Sequence, residues 1–341
     1  MSYKQKVVAV IVTFNRLSKL QYALSCYEKQ TVPFDTLIIV DNNSTDGTIE
    51  FLKEWQENNT KYNKHVIYLS TNVGGSGGFY AGEEYAMSLN PEWIYIADDD
   101  AYPEIDMVEK FLEFYSKHSN EKIAAICTSV WDMTNTIMYG CRSHAKFSNH
   151  KLSIIPASVD EYKMHFFEFN CLSYVGGFIS AEAMKERGLV NKDFFIYQDD
   201  VEHSLRLNNY GKMYCVPSIK VIHDSVPPGF MTVAQISKIL WKEYYAVRNR
   251  GYMLLKINYI IGVKYLFNQL YNIKSHKDKS LSPTDKMTIQ ASKDAFMGRL
   301  GLHSVYRPGL DVDKTTKLPY PRILWKILYY TFRFIKLIRK N

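Results

Sequence analysis

Hydrophobic spacing divides the first 130 residues into alternating strands and helices. Residues 7–13 form an unbroken β-branched and aliphatic run, the pattern of a strand buried on both faces. Over 17–30, Leu20, Ala23, Leu24 and Tyr27 recur at helical spacing. Residues 36–40 read as a second strand ending at Asp41-Asn42-Asn43, and Ser44-Thr45-Asp46-Gly47 offers capping and turn chemistry for a helix over 48–57. A third strand is expected at 65–69. The glycine-rich segment Asn72-Val73-Gly74-Gly75-Ser76-Gly77-Gly78 then reads as a loop leading into a helix over 79–89, and a fourth strand, 93–97, ends at Asp98-Asp99-Asp100.

Such alternation predicts an α/β fold with a parallel, doubly wound sheet and right-handed crossovers. Ligands of such sheets bind beyond the carboxyl ends of the strands, so Asn15, Asp41-Asn42 and Asp98-Asp99-Asp100 are expected to converge. Shorter strands follow at 124–130, 166–174, 212–216 and 219–223. Beyond Pro227-Pro228-Gly229 the pattern turns helical, which places a boundary near 230 between a domain over 1–230 and a helical extension over 231–341. The lysine-rich stretch 274–288 reads as an exposed loop.

Charge sharpens that division. The overall net charge of +7 splits into −8 over residues 1–230 (21 basic, 29 acidic) and +15 over 231–341 (21 basic, 6 acidic). An anionic membrane surface or a nucleic acid would suit the basic part. Five scattered cysteines without a CxxC pair argue against a disulfide framework and a zinc site, and fit a reducing, cytoplasmic compartment. The short apolar run near the N-terminus lacks a cleavage pattern and reads as a strand, and no apolar stretch reaches the ~18 residues that would span a bilayer. Residues 323–340 instead read as an amphipathic helix. Lys326, Arg333, Lys336 and Lys340 gather on one side, opposite Leu324, Ile327, Phe334 and Ile338, as in a helix lying in a membrane surface.

The candidate chemistry is carboxylate chemistry. Three strand-end aspartates repel one another unless a cation or proton neutralises them, and Mg²⁺ or Mn²⁺ favours such sites; the alternative is an acidic turn capping the next helix. A second acidic cluster, Asp199-Asp200-Val201-Glu202, follows the apolar Phe194-Phe195-Ile196-Tyr197, surroundings that raise a carboxyl pKa and suit a general base. Against this, Asp199 could cap a helix over 201–209, with Glu202 and Arg206 as an i,i+4 ion pair. The glycine segment matches neither GxxxxGK[ST] nor GxGxxG, yet permits close backbone approach to a ligand. His223 ends an apolar strand and is either a buried hydrogen-bonded residue or a metal ligand. On a helix, Trp241, Tyr244, Tyr245 and Arg248 share one side, as core or as a cation and aromatics facing a phosphorylated sugar; Asp294 and Arg299 are suggestive in the same way.

In order along the chain, Val10-Ile11-Val12-Thr13-Phe14-Asn15-Arg16, Val40-Asp41-Asn42-Asn43-Ser44, Asp98-Asp99-Asp100, Gly176-Gly177-Phe178 and the 194–202 and 244–249 segments resemble the motifs of family-2 inverting glycosyltransferases. Residues 72–82, the DDDAYP segment, Gly176-Gly177-Phe178, 194–202 and 244–249 resemble in particular the bacterial galactofuranosyl- and rhamnosyltransferase branch, with GGSGGF leaning toward the galactofuranosyltransferases. The resemblance covers roughly residues 5–250 and implies a GT-A fold. It further implies nucleotide-sugar contacts from Thr13, Asn15, Arg16, Asp41, Asn42, Gly74, Gly75, Asp99 and Arg248, although many members carry an acidic residue where Asn42 stands. Asp98 and Asp100, with His223, would hold Mn²⁺ or Mg²⁺, Asp98 also facing the donor, and Asp200 or Asp199 would be the base. The implied donor is UDP-galactofuranose, with dTDP-rhamnose second, and the acceptor a lipid-linked oligosaccharide at the inner face of the cell membrane during surface-polysaccharide synthesis. No nucleic-acid partner is implied. A nucleotidyltransferase would need a glycine- and lysine-rich phosphate signature near the first strand, which Thr13-Phe14-Asn15-Arg16 does not supply. A membrane or nucleic-acid scaffold built on the basic tail would not need Asp98, Asp100 or Asp200.

Overall fold

The computed structural model describes residues 5–58, 62–148, 151–225, 232–271, 273 and 281–309. The chain divides into two compact units, Met1–Met231 and Thr232–Asn341.

The first unit is built on β1 (Val7–Thr13), every residue of which is buried. It pairs in parallel with β2 (Thr36–Asp41) on one side and with β4 (Trp93–Asp98) on the other, while β3 (Asn63–Tyr68) pairs with β2. Because successive side chains alternate across the sheet, Val7, Ala9 and Ile11 meet α1 (Leu17–Glu28), whereas Val8, Val10 and Val12 meet α3 (Gly74–Ser88). The helix α2 (Thr48–Glu57) completes the first crossovers, with Asp46 accepting from the Thr48 hydroxyl at 2.6 Å to start it.

Beyond β4 the sheet becomes mixed. The short β5 (Ala101–Pro103) leads through α4 (Met107–His118) to β6 (Ile123–Asp132). A small second sheet uses β7 (Arg142–Phe147), β8 (Leu152–Pro156) and β10 (Cys171–Leu172), while β9 (Phe167–Phe169) pairs with the main sheet. Then come β11 (Gly177–Ser180), α5 (Ala181–Arg187), α6 (Asp199–Leu207) and β12 (Lys212–His223). The main sheet has the order β3-β2-β1-β4-β11-β6-β12-β5, with β11 antiparallel to both neighbours. The fold is therefore α/β of GT-A type with a mostly parallel sheet.

Several expectations change in detail. The glycine segment is not a loop before a helix: α3 starts at Gly74 and includes it. The stretch 166–174 divides into β9 and β10, and the two strands expected at 212–216 and 219–223 are one strand, with a register shift between Val216 and Lys220 where Pro217 removes a ladder donor.

In the second unit, α7 (Val233–Ile239) precedes α8 (Lys242–Ile257), α9 (Tyr259–Tyr271) and α10 (Pro283–Met297), and the last three pack together. Helices α8 and α9 approach closely at Gly262, where a Cβ would lie 2.4 Å from the Leu255 backbone nitrogen. Part of the expected exposed loop over 274–288 is the first turn of α10, started by Ser282, Pro283 and Asp285 as a capping box, with Met287 buried. The amphipathic helix expected over 323–340 lies outside the described residues.

Candidate active site

The carboxyl ends of β1, β2 and β4 bring Thr13, Asp41 and Asp98 side by side: the register pairs Thr13 with Asp41, and Val12 with Asp98. That is the crevice where the chain's strand order turns from β1 toward β4. One cavity of about 530 Å³ opens at the opposite, amino end of the strands, around Glu92, Trp93 and Lys122, and holds no comparable cluster.

The aspartate triplet is divided by its environment. Asp99 accepts from the Thr13 hydroxyl at 2.7 Å and from Arg16 at 3.0 Å. Asp100 accepts from Arg16 at 2.8 Å through Oδ2, with the Lys19 ammonium 3.6 Å from the same oxygen. Burial works against the Asp100 charge, but His223, Arg16 and Lys19 outweigh it and hold its pKa below the usual carboxylate range. At Asp98 the balance reverses: burial and the neighbouring Asp100 charge outweigh His223 and Arg16 and push it up to about 7. Burial opposes the Arg16 charge as well, yet Asp99, Asp100 and Asp98 together raise its pKa.

His223 reaches the triplet through strand pairing rather than sequence proximity. In the β5–β12 register His223 lies opposite Ala101, and the Asp224 amide donates to the Asp100 carbonyl at 2.8 Å. His223 Nε2 stands 3.2 Å from Asp100 Oδ1, a buried oxygen that has no partner in hydrogen-bond geometry. Asp98, Asp100 and His223 each offer a ligand atom, all within 4.8 Å of one another. Two buried carboxyl groups, one with an oxygen lacking a partner in hydrogen-bond geometry, and an imidazole at this spacing fit a divalent cation such as Mn²⁺ or Mg²⁺, whose charge would offset the repulsion between Asp98 and Asp100.

The second acidic cluster starts α6. Asp199 accepts from the Ser76 hydroxyl at 2.8 Å, and Asp200 accepts from the Val201 amide at 2.7 Å. Both keep a partly accessible edge while densely surrounded. Burial, then Asp199, then the field of Asp98 raise Asp200 to about 7. Among the described residues no Lys, Arg or His pairs with either aspartate. The Glu202–Arg206 pair expected from i,i+4 spacing is present at 2.8 Å and points away from this role.

The other expected residues are placed as follows. Asn15, in the left-handed region (φ 51°), accepts from the Thr45 amide at 2.7 Å, which ties the β1 and β2 loops together. Asp41 is fully buried and accepts from the Ser44 amide. Asn42 is committed to the glycine turn: its Nδ2 donates to the Gly74 carbonyl and its Oδ1 accepts from the Val73 amide, both at 2.9 Å. A Cβ on Gly75 would meet nothing within 4 Å, so that position faces open space. Arg248 belongs to the second unit, where it is 1% exposed, lies over Tyr244 and Tyr245 and donates to the Gly301 carbonyl at 2.6 Å. Asp294 is buried there and accepts from Tyr244. Within that unit both are core residues.

Sequence reasoning missed Lys19, Ser76 and Tyr102. Lys19 stands one helical turn after Arg16, and that i,i+3 spacing at the end of β1 was a usable signal. Tyr102 donates to Asp224, which also pairs with Lys19 at 3.3 Å.

A GT-A fold that sets carboxylates at these strand ends defines a glycosyltransferase dependent on a nucleotide-sugar donor. The sequence model described as Glycosyl transferase family 2 matches residues 8–173 of the chain. The chain is distantly similar to the galactofuranosyltransferase GlfT1 of Mycobacterium tuberculosis, 24% identical over 267 residues that cover 73% of this chain and 82% of that protein. The GlfT1 of Mycolicibacterium smegmatis is 25% identical, with 74% and 84% covered. Among solved structures, S. aureus TarS 1-349 in complex with UDP-GlcNAc superposes with a TM-score of 0.54 at 14% identity, covering 85% of this chain and 81% of that one. The mannosyltransferase PcManGT from Pyrobaculum calidifontis, in complex with GDP-Man and Mn²⁺, gives 0.52 at 14% identity, covering 98% and 81%.

Proposed function

We propose that this glycosyltransferase transfers galactofuranose, with inversion, from UDP-galactofuranose to a lipid-linked oligosaccharide during synthesis of a bacterial surface polysaccharide. The observation that supports the mechanism is a pair of differently neutralised acidic clusters near enough for the charge of Asp98 to act on Asp200. The donor sugar is supported by the GGSGGF segment and by the similarity to GlfT1.

The nucleoside lies against Thr13, Asn15, Asp41 and Asn42, with Gly75 open to close approach and Asp99 and Arg16 beside the diphosphate. Arg248 is carried as a further donor contact by the family resemblance alone. Asp98, Asp100 and His223 would hold Mn²⁺ or Mg²⁺, which would supply positive charge to a departing nucleoside diphosphate. On the other side Asp200, ionised, takes the proton of the acceptor hydroxyl as its oxygen attacks the anomeric carbon. One carboxylate suffices, since the bond to the acceptor forms as the bond to the diphosphate breaks. Asp199 lies beside it, and its field adds to burial in raising the Asp200 pKa.

The site of action is the inner face of the cell membrane. The +15 charge of residues 231–341 supports this, and among the described residues no helix is long and apolar enough to cross a membrane. Unchanged sedimentation with anionic vesicles after deletion of 323–341 would refute anchoring by that segment. The donor is tested with a panel of UDP- and dTDP-sugars, including dTDP-rhamnose, by following nucleoside diphosphate release with and without Mn²⁺. Release from UDP-galactofuranose only with Mn²⁺ is expected. Preference for another donor overturns the sugar, and metal-independent release overturns the cation site.

A further inference from the structure

The four residues before the second acidic cluster have an uncommon backbone. Phe195 (φ 68°), Tyr197 (φ 65°) and Gln198 (φ 67°) all occupy the left-handed region, which bulky aromatic residues rarely adopt. Such a turn persists only where its surroundings over-determine it, and it sits immediately before Asp199 and Asp200.

Part of what holds it comes from the first turn of α3. The Ser76 amide donates to the Phe195 carbonyl at 3.2 Å, while the Ser76 hydroxyl donates to Asp199 Oδ2 at 2.8 Å. The same side of the turn is packed backbone to backbone: a Cβ on Gly74 would fall 2.0 Å from the Phe195 carbonyl oxygen. Ser76 is itself fully buried. The turn is in turn gripped by Asn42 at the end of β2, through Val73 and Gly74. Gly74, expected to admit a ligand, thus admits the strained segment, while Gly75 stays open.

We infer that Ser76 is a positioning residue, which fixes Asp199 and the strained 195–198 turn and thereby aims the Asp200 carboxylate at the acceptor hydroxyl. The inference rests on Asp200 being the proton acceptor. With one hydrogen bond at each end, Ser76 links the helix that borders the nucleotide pocket to the helix that carries the base. Its loss leaves the donor pocket in place and lets the base wander.

The test is Ser76→Ala in the full-length enzyme, with Ser76→Cys as a volume-matched variant should alanine lower the melting temperature. Expected are a kcat reduced about 10- to 100-fold, a donor KM within about twofold of the parent, and unchanged binding of UDP with Mn²⁺ by calorimetry. In an Asp199→Asn background, Ser76→Ala is expected to add little further loss, because the serine acts through that carboxylate. Wild-type kcat in a folded Ser76 variant, or a full additional loss in the Asp199→Asn background, overturns the inference. Asp200→Asn measured alongside separates the two levels: if it is inactive while the Ser76 variants are fully active, the base stands and the positioning role falls. If Asp200→Asn transfers normally, the base assignment falls and the inference with it.

Discussion

The two acidic clusters of the first unit solve the same electrostatic problem in opposite ways. Asp98-Asp99-Asp100 rides the end of a regular, fully paired strand and faces two cations, Arg16 just before α1 and Lys19 within it, with the His223 imidazole of β12 beside Asp100. Asp199-Asp200 follows a strained turn, has no cationic partner among the described residues, and is held by a hydroxyl and backbone amides. A cation-lined cluster suits the side of a reaction where negative charge accumulates. A cation-free, desolvated carboxyl with its pKa near neutrality suits the side where a proton is taken up. On the proposed mechanism, the contrast assigns the first cluster to the leaving group and the second to the nucleophile.

The largest effect expected is on the first side. Replacing Asp98 and Asp100 together by asparagine removes two of three ligand groups, and transfer should fall by about 10³-fold or more, with Mn²⁺ affinity lost in calorimetry. Retained metal-stimulated activity would erase the distinction between the clusters. Next is Gly74→Ala, which puts a Cβ against the Phe195 carbonyl at a φ of +78°. It should cost roughly 2–4 kcal/mol in denaturant unfolding and disturb the second cluster while leaving the first intact. If the variant is as stable as the parent, the brace between α3 and the 195–198 turn is not what the geometry implies.

A pH profile sharpens the comparison at smaller amplitude. Asp200, raised to about 7 by burial and by Asp199, must be ionised to accept a proton. Thus kcat should rise with pH and level off above about 7, dropping about tenfold per unit on the acid side. A flat profile down to pH 5 would exclude a base with that pKa. The smallest effect concerns Glu83, fully buried in α3 behind the second cluster, where burial raises its pKa from 4.5 to about 8. Both folded and unfolded forms are protonated below 4.5, whereas at higher pH only the folded state retains the proton, up to about 8. Folding stability should therefore fall as pH climbs through that window, because the folded chain resists losing a proton that the unfolded chain gives up. Glu83→Gln should flatten the trend in thermal melts, and an unchanged slope would count against a buried, protonated Glu83.

The difference between the clusters also explains what could be read from the chain. Strands β1, β2 and β4 announce themselves as apolar runs because they are buried on both faces, and their polar ends mark the crevice directly. The antiparallel insertion of β11 and the union of 212–216 with 219–223 depend on long-range pairing that local periodicity does not encode. His223 needed the β5–β12 register before it could be set beside Asp100. The glycines were legible as a place of close approach, but what approaches them, the Phe195 backbone, is 121 positions away from Gly74 and carries no pattern of its own. Arg248 and Tyr244 had the spacing of a ligand-facing stripe and of a core equally, and burial in the second unit decides for the core there.

The most direct test of the division of labour is single-turnover transfer by Asp200→Asn, preloaded with Mn²⁺ and UDP-galactofuranose and mixed with a lipid-linked acceptor. Donor binding equal to that of the parent and transfer slowed by about 10²- to 10⁴-fold are expected. Transfer at the parental rate, or loss of donor binding in place of transfer, would contradict that division.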